Sequence, residues 1–352
     1  MQSIADLLRI AHSQQASDLH LTAGLKPRAR IHGEIEELSI NSPPLSSDQI
    51  MDMLDEIMSP AQQKHFRAKR EIDFSFAIPG LARFRVNGFT QHRGAAAVLR
   101  TIPSKVYSLG ELDCPPIFAK LAMRPRGLVL VTGPTGSGKS TTLAAMIDHI
   151  NSHEKAHILT LEDPIEFVHE PKRSIVNQRE VGSHTDSFSD ALRNALREDP
   201  DAILVGELRD LETIRLALTA AETGHLVFGT LHTSSAAKTI DRIVDVFPAA
   251  EKEMVRIMLS ESLVAVISQT LCKKAEGSGR VAAHEIMIGT TAIRNLIRES
   301  KVSQMNSAIQ TGQGQGMQTL DMCLQQLVND QEITLEEARS KATVPDAITS
   351  RG

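Results

Sequence analysis

The stretch 127–143 reads GLVLVTGPTGSGKSTTL, an apolar run that leads into a glycine-rich loop and then into a helical pattern. Residues 133–140 match the spacing G-x-x-x-x-G-K-S/T, and a strand before the motif with a helix after it is the context that the motif requires. Backbone N–H groups of such a loop, together with the helix N-terminus, hold phosphate groups. This stretch therefore predicts a nucleotide-binding α/β domain.

The loop supplies the candidate cofactor-binding residues, with ATP and Mg²⁺ as the cofactors. Lys139 is expected to reach the β- and γ-phosphates, and the Ser140 hydroxyl is expected to bind Mg²⁺. The complete set is Gly133, Pro134, Thr135, Gly136, Ser137, Gly138, Lys139, Ser140 and Thr141.

Short apolar runs continue after the loop and alternate with helical patterns. They are HILTLED (157–163), AILVGE (202–207) and HLVFGTLH (225–232). Apolar runs of this length, separated by helices, are typical of strands buried on both faces of a largely parallel sheet. Beyond about residue 250 the pattern indicates mostly helices.

The first hundred residues show the sequence pattern of a smaller α+β domain. Residues 4–12 and the segment capped by Ser46 show helical periodicity, and four stretches resemble strands, namely 17–21, 28–38, 74–78 and 82–89. Proline-rich, mixed-polarity sequence follows at 102–125. We therefore expect an N-terminal domain over 1–101, a junction over 102–125 and an ATPase domain over 126–352.

Bulk composition narrows the function classes. The chain has 352 residues, of which 41% are hydrophobic and 23% charged, and its net charge of −5 gives no general basic surface for nucleic acid. Its N-terminus lacks the features of a secretory signal, no apolar run approaches the length of a membrane span, and three scattered cysteines form neither a metal motif nor a disulfide framework. We expect a cytoplasmic protein that reaches a membrane only through protein partners.

Acidic and histidine side chains stand where predicted strands end. Glu162 and Glu166 flank Asp163 after one strand, and Glu207 follows another. The carboxyl ends of parallel strands meet at one edge of the sheet, so these acids are candidates for holding Mg²⁺ through water, as Glu162 or Glu207 with Ser140, and for orienting the attacking water. The sequence leaves open which acid does which, because Gly206 separates Glu207 from its apolar run.

Two histidines border the run 226–231. His232 is expected near the phosphates, where it senses the γ-phosphate or pairs with a catalytic acid, or else is an ordinary structural residue. His225 precedes the same run, and seven residues of extended chain separate the two rings by roughly 20 Å. The two cannot therefore bind one metal ion.

Four motifs in this order resemble the Walker A, Asp box, Walker B and His box of secretion-superfamily ATPases. They are GPTGSGKST (133–141), TLEDPIEFV (160–168), DPDAILVGELRD (199–210) and TGHLVFGTLHT (223–233). RFRVN (83–87) and TAIRNLIRES (291–300) narrow the resemblance to the PilT family of type IV pilus retraction, or twitching motility, ATPases. The similarity extends over nearly the whole chain.

This resemblance implies a PAS-like N-terminal domain, a RecA-like ATPase domain and a cytoplasmic homohexamer with nucleotide between the two domains. It implies docking on an inner-membrane pilus platform protein (PilC-like) and a possible PilU-like paralogue as a second partner. Glu162 and Glu166 would belong to the Asp box, and His225 and His232 to the His box. Glu207 would be the Walker B acid.

The resemblance also assigns roles outside the ATPase motifs. Arg85 and Arg100 would approach the phosphates, although Arg83 shares the strand face of Arg85 and competes for that role. Residues 292–299 would couple hydrolysis to retraction. There, the like charges of Arg294 and Arg298 at i,i+4 suggest an acidic partner, against the simpler interpretation of a solvated helix face.

The sequence also bears on four alternatives to a retraction motor. A guanine nucleotide switch would carry an N/T-K-x-D motif, which this sequence lacks. An extension or type II secretion motor typically has a larger N-terminal region and often four zinc-binding cysteines, and a DNA translocase gains no support from the acidic balance. The nearest alternative is an accessory retraction ATPase of the PilU kind.

Overall fold

The computed structural model describes residues 3–31, 33–40, 42–102 and 105–350. Its chain divides into two compact units, the first comprising Met1–Lys105 with Pro164–Phe167 and the second comprising Val106–Asp163 with Val168–Gly352. His32, in the expected strand over 28–38, lies outside the described residues, as do Pro103 and Ser104 in the expected junction.

The first unit combines three helices with one sheet. Its elements are α1 (Ile4–Ser13), β1 (Asp18–Thr22), β2 (Arg28–Ile31), β3 (Glu34–Glu37), α2 (Ser47–Asp55), α3 (Pro60–Lys69), β4 (Glu71–Ile78), β5 (Ala82–Gln91) and β6 (Gly94–Ile102). The six strands lie in the order β3-β2-β1-β6-β5-β4, and every neighbouring pair is antiparallel.

Local sequence explains where the helices of this unit begin. The hydroxyls of Ser3, Ser46 and Ser59 each accept a hydrogen bond from the backbone N–H three residues later. The side chain at that position in turn accepts one from the N–H of the cap residue. Such caps stabilise a helix by about 1 kcal/mol each. The apolar faces of α1 and α2 then pack into one core with the inner face of the sheet.

The second unit contains the remaining ten helices and seven strands of the described chain. They are α4 (Ile117–Ala122), β7 (Gly127–Thr132), α5 (Lys139–His153), β8 (His157–Glu162), β9 (Ile175–Glu180), α6 (Phe188–Ala195), β10 (Ala202–Val205), α7 (Leu211–Glu222), β11 (Leu226–Leu231), α8 (Ala236–Asp245), α9 (Lys252–Ser262), β12 (Leu263–Lys273), β13 (Arg280–Ile288), α10 (Thr291–Arg298), α11 (Met305–Thr311), α12 (Leu320–Asn329) and α13 (Leu335–Lys341).

The second sheet is parallel except at one edge. Its order is β13-β12-β7-β11-β10-β8-β9, and only the pairing of β13 with β12 is antiparallel. Strands β7, β10 and β11 are buried at every position, so side chains on both of their faces pack against helices. The expected mixed α/β fold with a largely parallel sheet is confirmed.

The expectation of a mostly helical chain beyond residue 250 was wrong in part. Strands β12 and β13 occupy much of 263–288, while α9 to α13 account for the helices. The run LVAVI at the start of β12 is continuously apolar and buried, and such a run shows neither the period of a helix nor that of a strand. Strand β13 is the one antiparallel member of the sheet. Strand β12 places the side chain of Gln269 beside the glycine-rich loop.

Among the described residues, no helix combines the length and apolarity that a bilayer crossing requires.

Candidate functional site

The glycine-rich loop joins the end of β7 to the first residue of α5. Strand β7 ends at Thr132 and α5 begins at Lys139, so residues 133–138 form the connection. Gly138 is the N-cap and has a φ of 87°, which an L side chain rarely adopts. Since α5 is fifteen residues long, its N-terminus carries a full helix dipole directed at the loop.

Lys139 is held inside this loop rather than extended into solvent. Its side chain is buried, and its ammonium donates hydrogen bonds to the carbonyls of Gly133 at 2.8 Å and Pro134 at 3.0 Å. The same ammonium lies 3.5 Å from Nδ1 of His232. The loop therefore presents a positive charge that is already ordered at the site where a phosphate would bind.

His232 connects this lysine to the acid of another strand. Its Nε2 lies 3.3 Å from Oε1 of Glu207, while Nδ1 faces the Lys139 ammonium. In the tautomer with its ring proton on Nε2, Nδ1 accepts from the ammonium and Nε2 donates to the carboxylate. His232 and Glu207 thus lie together, as expected for the crevice end of the sheet.

Glu207 also pairs with the guanidinium of Arg209, 2.7 Å from Oε2. Burial by itself would raise the pKa of Glu207, but the hydrogen bond and charge of Arg209, followed by the contribution of His232, lower that pKa below its usual value. The carboxylate is therefore ionised at neutral pH and able to accept a proton or a hydrogen bond.

Gly206 is required by close packing between two strands. Its N–H donates to the carbonyl of Leu161 at 2.7 Å, and a Cβ at this position would lie 3.1 Å from that oxygen and 3.3 Å from Cα of Glu162. The glycine that separates Glu207 from its apolar run therefore lets the ends of β8 and β10 approach. Glu162 and Glu207 follow those two neighbouring strands.

The acids of the Asp box fall into different parts of the structure. Glu162 ends β8 and accepts hydrogen bonds from Thr160 at 2.7 Å and from Gln178 at 3.3 Å, within the second unit. The exposed Glu166 lies in the segment Pro164–Phe167, which is assigned to the first unit.

His225 is not brought to the loop. It precedes β11, and because β11 is parallel to β7, with Leu226 opposite Gly127, His225 lies at the end of the sheet remote from the glycine-rich loop. Its Nδ1 lies 3.1 Å from the carbonyl of Ala220 at the end of α7. Within the second unit this histidine therefore fastens a helix to a strand.

The first unit places Arg85 directly opposite Arg100. These residues are fifteen apart in sequence, yet the β5–β6 hairpin makes them cross-strand partners on one face, with Asp18 opposite Arg100 on the other side. Arg85 pairs with Asp73 at 2.5 Å and Arg100 with the buried Asp18 at 2.8 Å. Arg83, on the same face, donates to the Ser75 hydroxyl at 2.5 Å.

In α10 the two arginines behave differently. Nε of Arg294 donates to the carbonyl of Gly289 at 2.8 Å, and an Nη of the same residue lies 3.4 Å from the carbonyl of Leu263. Within its own chain, Arg294 therefore pairs with backbone carbonyls. An acidic partner on another chain stays a prediction. Arg298 contacts Asn295 and remains exposed. Ile293 and Ile297 form the buried face.

Sequence reasoning missed Gln269, which contacts the glycine-rich loop from β12. Its side-chain amide donates to the carbonyl of Ser137 at 2.6 Å and accepts from the hydroxyl of Thr142 at 2.8 Å. The signal available in the sequence was weak: a glutamine that follows a long apolar run in LVAVISQTL.

The residues present fit a nucleotide and Mg²⁺. Within the described ranges, the hydroxyls of Thr132 and Ser137 are buried without a hydrogen-bond partner, and both border the loop. A Cβ on Gly136 would meet open space, so the loop leaves room at that point. Buried polar groups without partners, next to an ordered ammonium and a helix N-terminus, are what an anionic ligand would satisfy.

Comparisons with known proteins agree on one family. A family model described as Type II/IV secretion system protein matches residues 1–340. The type IV pilus retractation ATPase PilT of Pseudomonas aeruginosa is 66% identical over 343 residues, which make up 97% of this chain and 99% of that protein. The type IV pilus ATPase PilU of the same organism is 40% identical over 336 residues, or 96% of this chain and 87% of that protein.

The fold has a counterpart among solved structures. A crystal structure of the pilus retraction motor PilT with bound ADP resembles this chain with a TM-score of 0.92 and 49% sequence identity. The alignment covers 99% of both chains, so both units of the architecture are included.

Proposed function

Because the chain belongs to the type II/IV secretion system protein family, we propose that it is an ATPase motor that drives the retraction of type IV pili. The observation that carries the proposal is the 66% identity to a type IV pilus retraction ATPase over nearly the full length of both proteins. Identity to the accessory ATPase PilU is 40%, which makes an accessory role the less supported alternative.

Phosphate binding begins with the glycine-rich loop and Lys139. The ammonium now donates to the carbonyls of Gly133 and Pro134, and phosphate oxygens would replace these neutral acceptors with charged ones. A charge-assisted hydrogen bond is about twice as strong as a neutral one. The loop therefore favours nucleotide without a large rearrangement of its lysine.

Mg²⁺ would be held by the Ser140 hydroxyl, with Glu162 or Glu207 acting through water. When bound, such an ion neutralises charge on the phosphates during transfer. Both acids follow neighbouring strands of the second sheet. The protein's own part is to keep these oxygens ionised and in place, to which Arg209 and His232 contribute at Glu207.

Glu207 is the acid best placed to orient the attacking water. It touches His232, and His232 in turn contacts Lys139, so the acid and the phosphate-binding lysine are linked through one imidazole ring. A change in the groups that Lys139 binds would therefore affect Glu207 through this ring. Glu162 and Glu166 remain candidates for supporting roles in the same reaction, and His225 for a structural one.

Arg85 and Arg100 would supply charge to the transferring phosphoryl group. A guanidinium in this position contributes roughly 10³–10⁵ in rate in other phosphoryl-transfer enzymes. The two side chains are held as cross-strand neighbours by β5 and β6. In the proposed homohexamer they would act at a nucleotide that is also bound by the glycine-rich loop.

The motor would work at the cytoplasmic side of the pilus base. A homohexamer would dock on an inner-membrane platform protein of the PilC kind, with a PilU-like paralogue as a further partner. Helix α10 would couple nucleotide turnover to retraction, because its exposed face is free of the ATPase motifs while its buried face is fixed to the second unit.

The Lys139→Ala variant tests the assignment of the site. We expect its ATPase rate to fall by about a hundredfold or more, because the ordered charge at the phosphates is lost. Lys172→Ala, which removes a surface lysine paired with Asp148, should hydrolyse ATP at the wild-type rate. Normal Mg-ATP turnover by Lys139→Ala would refute the site.

Deleting the gene in its host separates three candidate functions. A retraction motor predicts cells with abundant pili and no twitching. Bare cells would instead indicate an extension motor, and retained twitching with only weakened force would favour the accessory role.

A further inference from the structure

We propose that Gln269 is a positioning residue for nucleotide binding. Its side chain holds the glycine-rich loop and α5 in the conformation that accepts phosphate. The inference rests on the proposed ATPase function. It concerns a residue that belongs to none of the four motifs that define the site.

Gln269 is placed by strand pairing. Strand β12 runs parallel to β7, and their last paired residues are Ser268 and Thr132. Gln269 therefore stands one residue beyond the pairing, beside the point where β7 gives way to the loop. Its side chain is 4% exposed, so its orientation is fixed by protein contacts and not by water.

Both ends of the amide are used. Nε2 donates to the carbonyl of Ser137 at 2.6 Å, and Oε1 accepts from the Thr142 hydroxyl at 2.8 Å. Ser137 and Thr142 are themselves buried, and the residues between them include Lys139 and Ser140. One side chain thus fixes the loop on one side of the phosphate-binding residues and the helix on the other.

Two glycines of the motif are crowded by this residue. A Cβ on Gly133 would lie 2.2 Å from the backbone oxygen of Gln269, and a Cβ on Gly138 would lie 2.8 Å from its Nε2. A Cβ on Gly136, in contrast, would have no neighbour within 4 Å. The loop therefore packs against Gln269 on one side, while the side at Gly136 stays open.

The amide is chemically specific for this position. A buried polar group without partners is destabilising, and only a side chain with both a donor and an acceptor satisfies the Ser137 carbonyl and the Thr142 hydroxyl together. Methionine has a similar length and shape but satisfies neither. Gln269→Met therefore removes both hydrogen bonds with little change in side-chain volume.

The test compares nucleotide affinity with stability. We expect Gln269→Met to raise both the KM for ATP and the Kd for ADP about tenfold, equivalent to about 1.4 kcal/mol, with kcat changed less than about threefold. Thr142→Val removes one of the two hydrogen bonds and should raise both constants about threefold. This milder variant keeps the test available if Gln269→Met does not fold.

Asn151→Leu is the matched control. Asn151 lies on α5, and its buried side-chain amide also hydrogen-bonds to two groups, both of them backbone groups outside that helix. It donates to the carbonyl of Glu170 at 2.8 Å and accepts from the N–H of Lys172 at 2.9 Å, near the opposite end of the helix. We expect this variant to lower Tm while leaving KM and the ADP Kd unchanged.

Two results would overturn the proposal: unchanged KM and Kd in folded Gln269→Met, or the same rise in Asn151→Leu. Failure of the ATPase function itself is a separate result. It would appear as wild-type protein that hydrolyses no ATP, whereas turnover by Lys139→Ala would refute the glycine-rich loop as the site.

Discussion

At the scale of single residues, His284 shows how burial fixes a protonation state. The ring lies on β13, is almost fully buried, and packs edge-on against Phe118 with a centroid distance of 5.1 Å. Burial lowers its pKa from 6.5 to about 4. His169, also buried, has its pKa lowered to about 4, chiefly by burial.

These histidines make stability depend on pH. Between pH 6.5 and about 4 the unfolded chain takes up a proton that folded His284 does not, so stability is lost as the pH falls through this window. From pH 7.5 to 5 we expect a loss on the order of 2 kcal/mol from His284 alone.

Urea unfolding of the wild type and of His284→Leu, at pH 7.5 and at pH 5, measures the contribution of His284 to this loss of stability. The variant should lose less stability than the wild type between pH 7.5 and 5, since His169 still titrates and His284 does not. Equal losses in both proteins would show that burial does not lower the pKa of His284.

Sequence predicts those residues whose role is set by near neighbours. Lys139 and Ser140 follow from an eight-residue motif, and Glu207 and His232 from the ends of apolar runs. Gln269 could not be found in this way, because it meets Ser137 across 132 positions of the chain. Its role depends on which strand lies next to β7, which no local pattern encodes.

At the scale of elements, α10 has one arginine that holds it in place and one that does not. Arg294→Ala leaves the carbonyls of Gly289 and Leu263 without this donor, and we expect a loss of about 1–3 kcal/mol in stability. Arg298→Ala, on the exposed face, should change stability by less than about 0.5 kcal/mol.

Thermal unfolding of both variants distinguishes the two roles. A stable Arg294→Ala would contradict the anchoring role of that side chain. Because Arg298→Ala is expected to fold normally, it is also the variant in which lost twitching with intact ATPase activity would support α10 as the coupling element.

Four parallel strands and the helix capped by Ser46 could be predicted, whereas β9 and the C-terminal strand pair could not. Strands β7, β8, β10 and β11 appear in the sequence as short apolar runs separated by helical patterns. Strand β12 begins with an equally apolar run but directly follows α9, without a turn to mark the change. Its conformation is decided by pairing with β7 and β13, which is tertiary context.

At the scale of the whole molecule, the proposed ring predicts that subunits share active sites. If the arginines of one chain serve the nucleotide of another, a mixture of Lys139→Ala and Arg85→Gln proteins should regain ATPase activity. The Lys139→Ala chain would supply arginines to an intact loop on its neighbour.

Activity of the mixture, after subunit exchange, is compared with each variant alone at the same total concentration. A rate several-fold above the sum of the two would support sharing. Additive rates, in rings shown by co-purification of differently tagged chains to contain both variants, would contradict sharing.

Antiparallel pairing of β5 and β6 sets Arg85 and Arg100 opposite each other, at the backbone spacing of directly opposed residues. Left alone, such neighbours repel, and Asp73 and Asp18 offset that repulsion from either flank. The sheet therefore holds both arginines in place, each paired with a carboxylate, before any anion arrives. A triphosphate that bound there would displace two carboxylates from arginines that are already held in place. The two arginine side chains would therefore lose little conformational freedom on binding.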